Sequence, residues 1–389
     1  MVASPNNIDP NGLKEFSVVF TDRSLNHMSE LFGGVMNDIS STLKEVYKAN
    51  SIALVPGGGT FAMESVARQF MSGKTALVVR NGWFSYRWSQ IFETGNICKS
   101  TIVMKAKQSG NNVQSSFEPA PIDEVVAKIK TEKPDFVFAP HVETSAGIIL
   151  PDDYIRELSR AAHSVNALMV LDCIASGCVW VDMEDTGVDI LISAPQKGWS
   201  SQPCAGLVMM SANARNKINT TESDSFAMDL KKWLSIMETY EAGGHAYHAT
   251  MPTDSLKVFR DTLSETREFG FSTAFDAQWK LGNSVREALK NWGIKSVAAD
   301  GFGAPGVVVS YTESPDVQNG SRFKELGFQI AAGVPLKCDE PSGFSTFRLG
   351  LFGLDKLKNV ESTLATLDQA FEQIFTSCPL RKFSMNYSF

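Results

Sequence analysis

Lys197 stands between a glutamine and a glycine in the segment ISAPQKGWSSQPCAG, just after a short apolar run. A loop lysine is usually a solvated cation, but one held neutral can form an imine with a carbonyl compound. Asp172 ends an earlier apolar run, LMVLD. A carboxylate at the end of a buried strand needs a cationic partner to offset its lost hydration, and either an arginine or a protonated pyridine ring would serve. The two residues are therefore candidates for amine chemistry at strand ends.

A glycine-rich turn follows the run IALV, in the segment PGGGTFAMESVARQF. Free backbone N–H groups and the helix dipole make such a turn an anion site, to which Thr60 adds a hydroxyl donor. A tight turn without a ligand would have the same sequence. Gly57, Gly59 and Ala62 also match the dinucleotide pattern G-x-G-x-x-A. That pattern requires an acidic residue about 20 positions further on, where this chain has Arg80, so NADP binding is the weaker interpretation.

An aromatic cluster follows the next apolar run, in NGWFSYRW, with the rings of Trp83, Phe84, Tyr86 and Trp88. An aromatic ring at a strand end can stack on a planar ligand. Each of these rings could also belong to the core.

The elements that must position these residues follow from hydrophobic periodicity. Apolar runs predict strands at 75–80, 100–105, 135–140, 168–173, 189–195 and 205–211. Amphipathic stretches between them, such as FAMESVARQFM and DDYIRELSRAAHSV, predict helices. This alternation predicts an α/β domain, with a mostly parallel sheet covered by helices on both faces. Ligands of such sheets bind at the carboxyl ends of the strands, where the candidate residues lie.

The pattern changes in the last third of the chain. Two long helical stretches flank the extended segment GVVVSYT and a Gly/Pro-rich stretch before TFRLGLFG. We therefore expect an N-terminal arm at residues 1–25, a large domain at 26–255 and a smaller α+β domain at 256–389.

Composition excludes several classes of protein. The chain has 389 residues, 43% hydrophobic and 20% charged, which is enough for a large core and two domains. Its net charge is −7 and its basic residues are scattered, so we expect no nucleic-acid partner. We find no signal segment and no window of roughly 18 apolar residues, and therefore expect no membrane partner and a cytoplasmic location. The cysteines and histidines lack the spacing of a metal site.

The candidate residues match the requirements of one cofactor, pyridoxal 5′-phosphate. That cofactor needs an anion turn, a stacking ring, a carboxylate that keeps the pyridine nitrogen protonated, and an amine for the Schiff base. The chain supplies the four in that order, ending with Asp172 and Lys197.

From about Asn26 to Gly353, the chain resembles the class V, fold-type I pyridoxal-phosphate aminotransferases, in particular the alanine–glyoxylate and serine–pyruvate subgroup. GGGTFAMES is similar to the family's phosphate turn, with Thr60 where His is common, and RNGWFSYR resembles its N-G-x-W-x-x-R segment. HVETSAGIILP and LDCIASGCVWVDMEDTGVDILISAPQKG also resemble family segments. The resemblance implies a seven-stranded type of sheet sandwiched by helices, plus a small C-terminal α+β domain.

The resemblance implies roles for individual residues. Asp172 would contact the pyridine nitrogen, Lys197 would form the Schiff base, and Phe84 would stack on the ring. The other cofactor contacts it implies are Gly58, Gly59, Thr60, Thr144, Ile174 and Gln196.

Two further segments extend the resemblance. YHATMP is similar to Y-H-x-T-x-P, which implies a homodimer in which Tyr247 and Thr250 reach the neighbouring subunit's cofactor. FRLGLFG is similar to F/W-R-I-G-x-x-G, which implies that Arg348 binds the substrate carboxylate. We therefore expect ping-pong transfer of an amino group from a small amino acid to a small 2-oxo acid of the glyoxylate or pyruvate type.

The chain also departs from the family pattern. The opening G-P-G-P motif is absent, which leaves the substrates open. Cys338 precedes Arg348 as the catalytic cysteine does in cysteine desulfurases of the same fold. Phe84 and Gln196 stand where that branch has histidines, so desulfurase or another lyase is the alternative, and we expect Cys338 to be an unreactive loop thiol.

Overall fold

The computed structural model describes residues 8–376. Its strands are β1 (Ser51–Pro56), β2 (Thr75–Arg80), β3 (Ser100–Lys105), β4 (Lys107–Gln108), β5 (Phe117–Glu118), β6 (Phe136–Pro140), β7 (Val142–Glu143), β8 (Ile148–Ile149), β9 (Leu168–Asp172), β10 (Ile190–Ser193), β11 (Ala205–Met210), β12 (Val307–Tyr311), β13 (Ala331–Ala332) and β14 (Thr346–Gly350).

The α-helices are α1 (Glu30–Tyr47), α2 (Gly59–Phe70), α3 (Trp83–Gly95), α4 (Ile122–Glu132), α5 (Asp152–Ser164), α6 (Met183–Thr186), α7 (Ala212–Lys217), α8 (Leu230–Glu241), α9 (Thr253–Phe269), α10 (Phe271–Asn291), α11 (Pro315–Gln318), α12 (Ser321–Glu325), α13 (Leu354–Leu357) and α14 (Val360–Phe375).

The central sheet has seven strands in the order β1-β11-β10-β9-β6-β2-β3. Five strands of this sheet are parallel to one another, namely β3, β2, β6, β9 and β10. Strand β11 runs antiparallel to both of its neighbours, β1 and β10. The structure thus confirms the predicted α/β fold with a mostly parallel sheet. Apart from the edge strand β3, the strands of this sheet are short runs of apolar residues that are buried along most of their length, because helices such as α2, α3 and α5 pack against the sheet.

The strand order brings the candidate segments to one edge of the sheet. Asp172 at the end of β9 is in register with Pro140 of β6 and Ile192 of β10. Because β1 and β10 both run antiparallel to β11, their carboxyl ends also lie at this edge. The turns after β1, β6, β9 and β10 therefore meet there.

A second, antiparallel sheet has the order β12-β14-β13 and packs against α10. Its apolar residues form a core cluster with α10, α13 and α14 that is separate from the cluster of the central sheet. The expected domain start at residue 256 falls inside α9, so this helix crosses the boundary. The boundary stays a prediction, and residues 1–7 of the expected arm lie outside the described residues.

Candidate active site

Asp172 is a buried carboxyl group without an ion-pair partner. Its side chain is 7% exposed, and Oδ1 accepts a hydrogen bond of 2.9 Å from the backbone N–H of Ile174. Burial raises the pKa of Asp172 to about 7, with a further upward contribution from Glu143, although Arg87 and Lys197 lower it. Within residues 8–376, no Lys, Arg or His nitrogen forms a salt bridge with it. The site therefore lacks one positive charge beside this carboxyl group.

Lys197 lies in the turn after β10, a strand that ends two residues earlier than its apolar run suggests. The turn is tight, because a Cβ atom on Gly198 would overlap the carbonyl oxygen of Gly177. The half-buried Nζ lies 5.3 Å from the ring centre of Phe352. Burial lowers the pKa of Lys197, and the guanidinium of Arg348 lowers it further. Both effects favour the neutral amine that imine chemistry requires.

The glycine-rich turn leads from β1 directly into α2. Gly57 has a φ of 123°, which favours glycine, and Gly58 is the N-cap residue of α2. The N–H groups of Gly59 and Thr60 lie in the first helical turn, where no intrahelical carbonyl can accept them. A Cβ atom on Gly59 would overlap the side chain of Ile174, so that side chain lies directly against the turn. This arrangement suits an anion at the helix N-terminus.

Glu143 fixes the first turn of α3 and was not among the residues expected from the sequence. It is fully buried, and its carboxylate accepts hydrogen bonds from the backbone N–H groups of Phe84, Ser85 and Ser145 at 2.8–3.1 Å. It also accepts from the hydroxyls of Ser85 and Ser145 at 2.7 Å. These bonds hold the helix that carries Phe84. In the sequence, Glu143 is the acidic residue of HVETSAGIILP, the segment that resembles the family and follows the apolar run 135–140.

Two guanidinium groups lie near the Phe84 ring. The Cζ atom of Arg87 is 5.2 Å from the ring centre and that of Arg348 is 5.6 Å from it. Arg348 lies on β14, and its Nε donates a 2.8 Å hydrogen bond to the carbonyl oxygen of Ala332. Burial lowers the pKa of Arg348. Among the described residues no carboxylate forms a salt bridge with either arginine, so both can receive an anion.

The remaining expected contacts lie next to these groups. Thr144 is buried beside Glu143, and Gln196 is exposed beside Lys197. His141, which was not expected, is buried and bonded through Nδ1 to the Ser176 hydroxyl at 2.7 Å. Burial lowers the pKa of His141 to about 3, so the imidazole is neutral.

Tyr247 and Thr250 lie in the segment before α9. Their hydroxyls are 3.1 Å apart, and Tyr247 is 54% exposed. In the described part of this single chain, neither forms a hydrogen bond with the residues at the sheet edge. The structure therefore brings them to each other but not to Asp172 or Lys197.

Cys338 is a buried thiol in the loop before β14. Its Sγ donates a 3.3 Å hydrogen bond to the carbonyl oxygen of Arg80, and burial raises its pKa to about 12. Glu340 holds the loop by accepting the backbone N–H groups of Leu336, Lys337 and Cys338. A protonated, buried thiol is a poor nucleophile.

The charges at the sheet edge fit pyridoxal 5′-phosphate. The buried carboxyl group of Asp172 has no cation paired with it. Lys197, and the two arginines beside Phe84, have no anion paired with them among the described residues. A ligand with a protonated ring nitrogen and a phosphate, followed by an amino acid with a carboxylate, would supply all the missing charges. Within residues 8–376, no cluster of His, Cys, Asp and Glu is arranged to hold a metal ion. In the same residues, no helix is long and apolar enough to cross a membrane.

Comparisons with known proteins agree with these features. The family model of aminotransferase class-V matches residues 15–300. An alanine–glyoxylate aminotransferase of Felis catus is 25% identical over 384 residues, which cover 95% of this chain and 86% of the relative. Among solved structures, an alanine–glyoxylate aminotransferase from Nostoc sp. has a TM-score of 0.75 at 20% identity, covering 90% of this chain and 89% of that chain.

The same fold also occurs in a cysteine desulfurase from Thermococcus onnurineus NA1. Its TM-score is 0.62 at 13% identity, covering 88% of this chain and 84% of that chain. At such low identities the structural matches confirm the fold and do not distinguish amino transfer from desulfuration.

Proposed function

The chain belongs to the aminotransferase class-V family, whose members depend on pyridoxal 5′-phosphate, and from this premise we propose that it moves an amino group from a small amino acid to a small 2-oxo acid. The observation that carries the proposal is the pair formed by Asp172 and Lys197. A buried carboxyl group without a cation and a lysine with a lowered pKa follow adjacent parallel strands. This pair suits the chemistry of the family.

When bound, the cofactor supplies an aldehyde that forms an imine with a primary amine and a cationic ring that withdraws electrons from the substrate Cα. Asp172 would hold the proton on the ring nitrogen, and Phe84 would stack on the ring. Lys197 would hold the cofactor through its amine and, as a neutral amine, would accept the proton from the substrate Cα. Its lowered pKa favours this role, because only the neutral amine can accept a proton.

Arg348 would bind the α-carboxylate of the substrate. Its Nε is already bonded to Ala332, which leaves the terminal nitrogens for a bidentate contact. This contact would fix the orientation of the substrate and select the Cα bond that breaks.

The proposed contacts of the phosphate are Gly58, Gly59, Thr60 and Gln196. Ile174 would pack at the ring because its side chain lies against Gly59. Thr144 would contact the phenolic oxygen of the cofactor.

The proposed substrates are glyoxylate or pyruvate as acceptor and a small amino acid as donor, in a ping-pong cycle. The support comes from relatives that are named for alanine and glyoxylate. We also propose a homodimer, in which Tyr247 and Thr250 contact the partner's cofactor. The exposed Tyr247 and the adjacent Thr250 hydroxyl support this, because within residues 8–376 they form a polar pair that has no hydrogen bond with Lys197. The proposed domains remain residues 26–255 and 256–389.

The desulfurase alternative requires a thiolate that can reach the substrate. Cys338 does not favour it, because its buried thiol is protonated and directed at the carbonyl oxygen of Arg80.

The test uses purified protein reconstituted with pyridoxal 5′-phosphate. We expect a yellow protein whose visible band is abolished by borohydride and is absent in Lys197→Ala, but present in the control Lys280→Ala, which removes an exposed lysine paired with Glu361. Each candidate donor is then added without an acceptor, and each donor that removes the band is identified.

The products decide the reaction. Keto acid that accumulates catalytically only with a 2-oxo acid present supports amino transfer. Ammonia or sulfide released without an acceptor would contradict it in favour of elimination or desulfuration. A colourless protein that binds NADPH would contradict the cofactor assignment.

A further inference from the structure

Arg87 is a cation that the expected site did not include. It lies three residues after Phe84 on α3, so both side chains are on the same face of the helix. Its Nη1 donates a 2.9 Å hydrogen bond to the Thr60 hydroxyl, and its Cζ lies 5.2 Å from the Phe84 ring centre. Arg87 thus connects the ring-stacking residue to the glycine-rich turn.

The position of Arg87 is electrostatically unfavourable without an anion. It contacts the first turn of α2, where the helix dipole is positive, and its charge repels that of Lys197, whose pKa it lowers, although it also favours the ionised form of Asp172. Arg68 on the adjacent helix α2, by contrast, is bonded to the carboxylates of Glu64 and Asp224. Within residues 8–376 no carboxylate forms a salt bridge with Arg87. A bound anion would remove this repulsion.

We propose that Arg87 is the charged group that binds the phosphate of the cofactor, held in position by Thr60 and Phe84. The inference rests on the proposed cofactor site and assigns the two arginines at Phe84 to different anions. Arg87 lies at the phosphate turn and takes the phosphate, whereas Arg348 lies on the second sheet and takes the substrate carboxylate. Arg87 is a binding residue and takes no part in proton transfer.

The experiment compares two ligands that differ only in the phosphate. Cofactor-free wild type and Arg87→Gln are titrated with pyridoxal 5′-phosphate and with pyridoxal, and binding is followed by absorbance. We expect Arg87→Gln to raise the dissociation constant of pyridoxal 5′-phosphate about 10- to 100-fold, as for loss of one charge-assisted contact. The dissociation constant of pyridoxal should change by less than about twofold, since it has no group that Arg87 binds.

Two further variants test the mechanism of binding. Arg87→Lys should recover part of the affinity, because it restores the charge without the planar geometry. Thr60→Val should weaken phosphate-dependent binding less than Arg87→Gln does, and the two effects should add only in part, because both variants remove the hydrogen bond between Arg87 and Thr60. Inorganic phosphate should compete with the cofactor more weakly in Arg87→Gln than in wild type.

The matched control is Arg68→Gln, which removes an arginine that is paired with carboxylates on the adjacent helix. It should leave both dissociation constants unchanged. The unfolding midpoint of each cofactor-free variant shows whether it is folded. Equal weakening of both ligands in Arg87→Gln, or no weakening of either, would overturn the proposal.

The outcomes separate this inference from the proposed function. Failure of wild type to bind pyridoxal 5′-phosphate would overturn both. Wild type that binds the cofactor but transfers no amino group would contradict the proposed reaction, while the ligand comparison would still decide the role of Arg87.

Discussion

At the scale of single residues, burial shifts the protonation equilibria of Asp172 and Lys197 towards their neutral forms before any ligand binds. Burial disfavours the charged form of each, so it raises the pKa of Asp172 and lowers that of Lys197. The two groups are therefore less charged than the same residues in water. A cationic ring at Asp172 would restore its ionised form. Because a buried carboxylate is poorly hydrated, it would gain more from this contact than a carboxylate in water would.

The stability of the cofactor-free protein should depend on pH through Asp172. Its native pKa of about 7 exceeds the ordinary 3.8, so the native state binds a proton more tightly than the unfolded state. The associated stability is present below pH 3.8 and is lost as the pH rises to 7. Asparagine does not ionise, so Asp172→Asn does not lose this part of the free energy of unfolding as the pH rises. At pH 8 the variant should be more stable than wild type by a few kcal/mol at most, at about 1.4 kcal/mol per pKa unit. The difference should be smaller at pH 5.

Thermal unfolding of cofactor-free wild type and Asp172→Asn across this range checks the prediction. The control is Asp153→Asn, at an exposed carboxylate paired with Arg156, which should follow the wild-type profile. Parallel profiles for wild type and Asp172→Asn would contradict the assigned pKa shift. With cofactor present the order should reverse, because Asn cannot balance a cationic ring.

At the scale of elements, the first turn of α3 depends on a residue from β7. Glu143 accepts hydrogen bonds from two backbone N–H groups of this turn and places its negative charge at the positive end of the helix dipole. The turn carries Phe84 and, one turn later, Arg87. The ring that would stack on the cofactor and the cation proposed for its phosphate are thus positioned by one buried carboxylate.

Glu143→Gln should lower the free energy of unfolding by about 2–4 kcal/mol, because the amide has one acceptor oxygen for several buried donors. Its NH₂ group also faces the N–H groups of Ser85 or Ser145. Urea unfolding measures the change. The control Glu157→Gln removes an exposed pair with Arg160 and should change stability by less than about 0.5 kcal/mol. A similarly small effect at Glu143 would show that the carboxylate does not hold the turn.

At the scale of the whole molecule, the proposed active site needs two chains. Asp172, Lys197, Phe84 and Arg348 come together within one chain, while Tyr247 and Thr250, within residues 8–376, form a hydrogen bond with each other and none with those four residues. A partner subunit that places its Tyr247 and Thr250 at this site would complete the phosphate contacts.

Mixed dimers test this arrangement. A Lys197→Ala chain is unfolded and refolded together with a Tyr247→Phe/Thr250→Ala chain. After random reassociation about half of the dimers are mixed and each has one complete site, so the mixture should regain about a quarter of the wild-type activity.

The control mixes Lys197→Ala with Arg348→Ala. Both residues belong to the site of their own chain, so no complete site forms and activity should stay at the level of the separate variants. Equal activity in both mixtures would contradict the shared site.

The sequence by itself determined the elements of the fold and the residues at the strand ends. Hydrophobic periodicity is local, so it predicted strands β2, β3, β6, β9, β10 and β11 and helices such as α5 within a few residues, but not the two-residue strands β4, β5, β7 and β8. Asp172 and Lys197 were identified because a charged residue after an apolar strand stands out in the sequence, and their catalytic roles stay predictions. The reversed direction of β11 between β1 and β10 was not evident from its apolar run.

Only the tertiary structure decided which distant groups meet. The bonds from Glu143 to the first turn of α3 join segments that follow β6 and β2, which are neighbours in the sheet, and the bond from Arg87 to Thr60 joins α3 to α2. The protonated state of the Cys338 thiol likewise depends on burial against Arg80. Periodicity describes neighbours along the chain, whereas hydrogen-bond partners and pKa shifts depend on packing between segments far apart in sequence. For that reason the sequence predicts the residues at the strand ends, and the structure identifies the residues that position them and shift their pKa values.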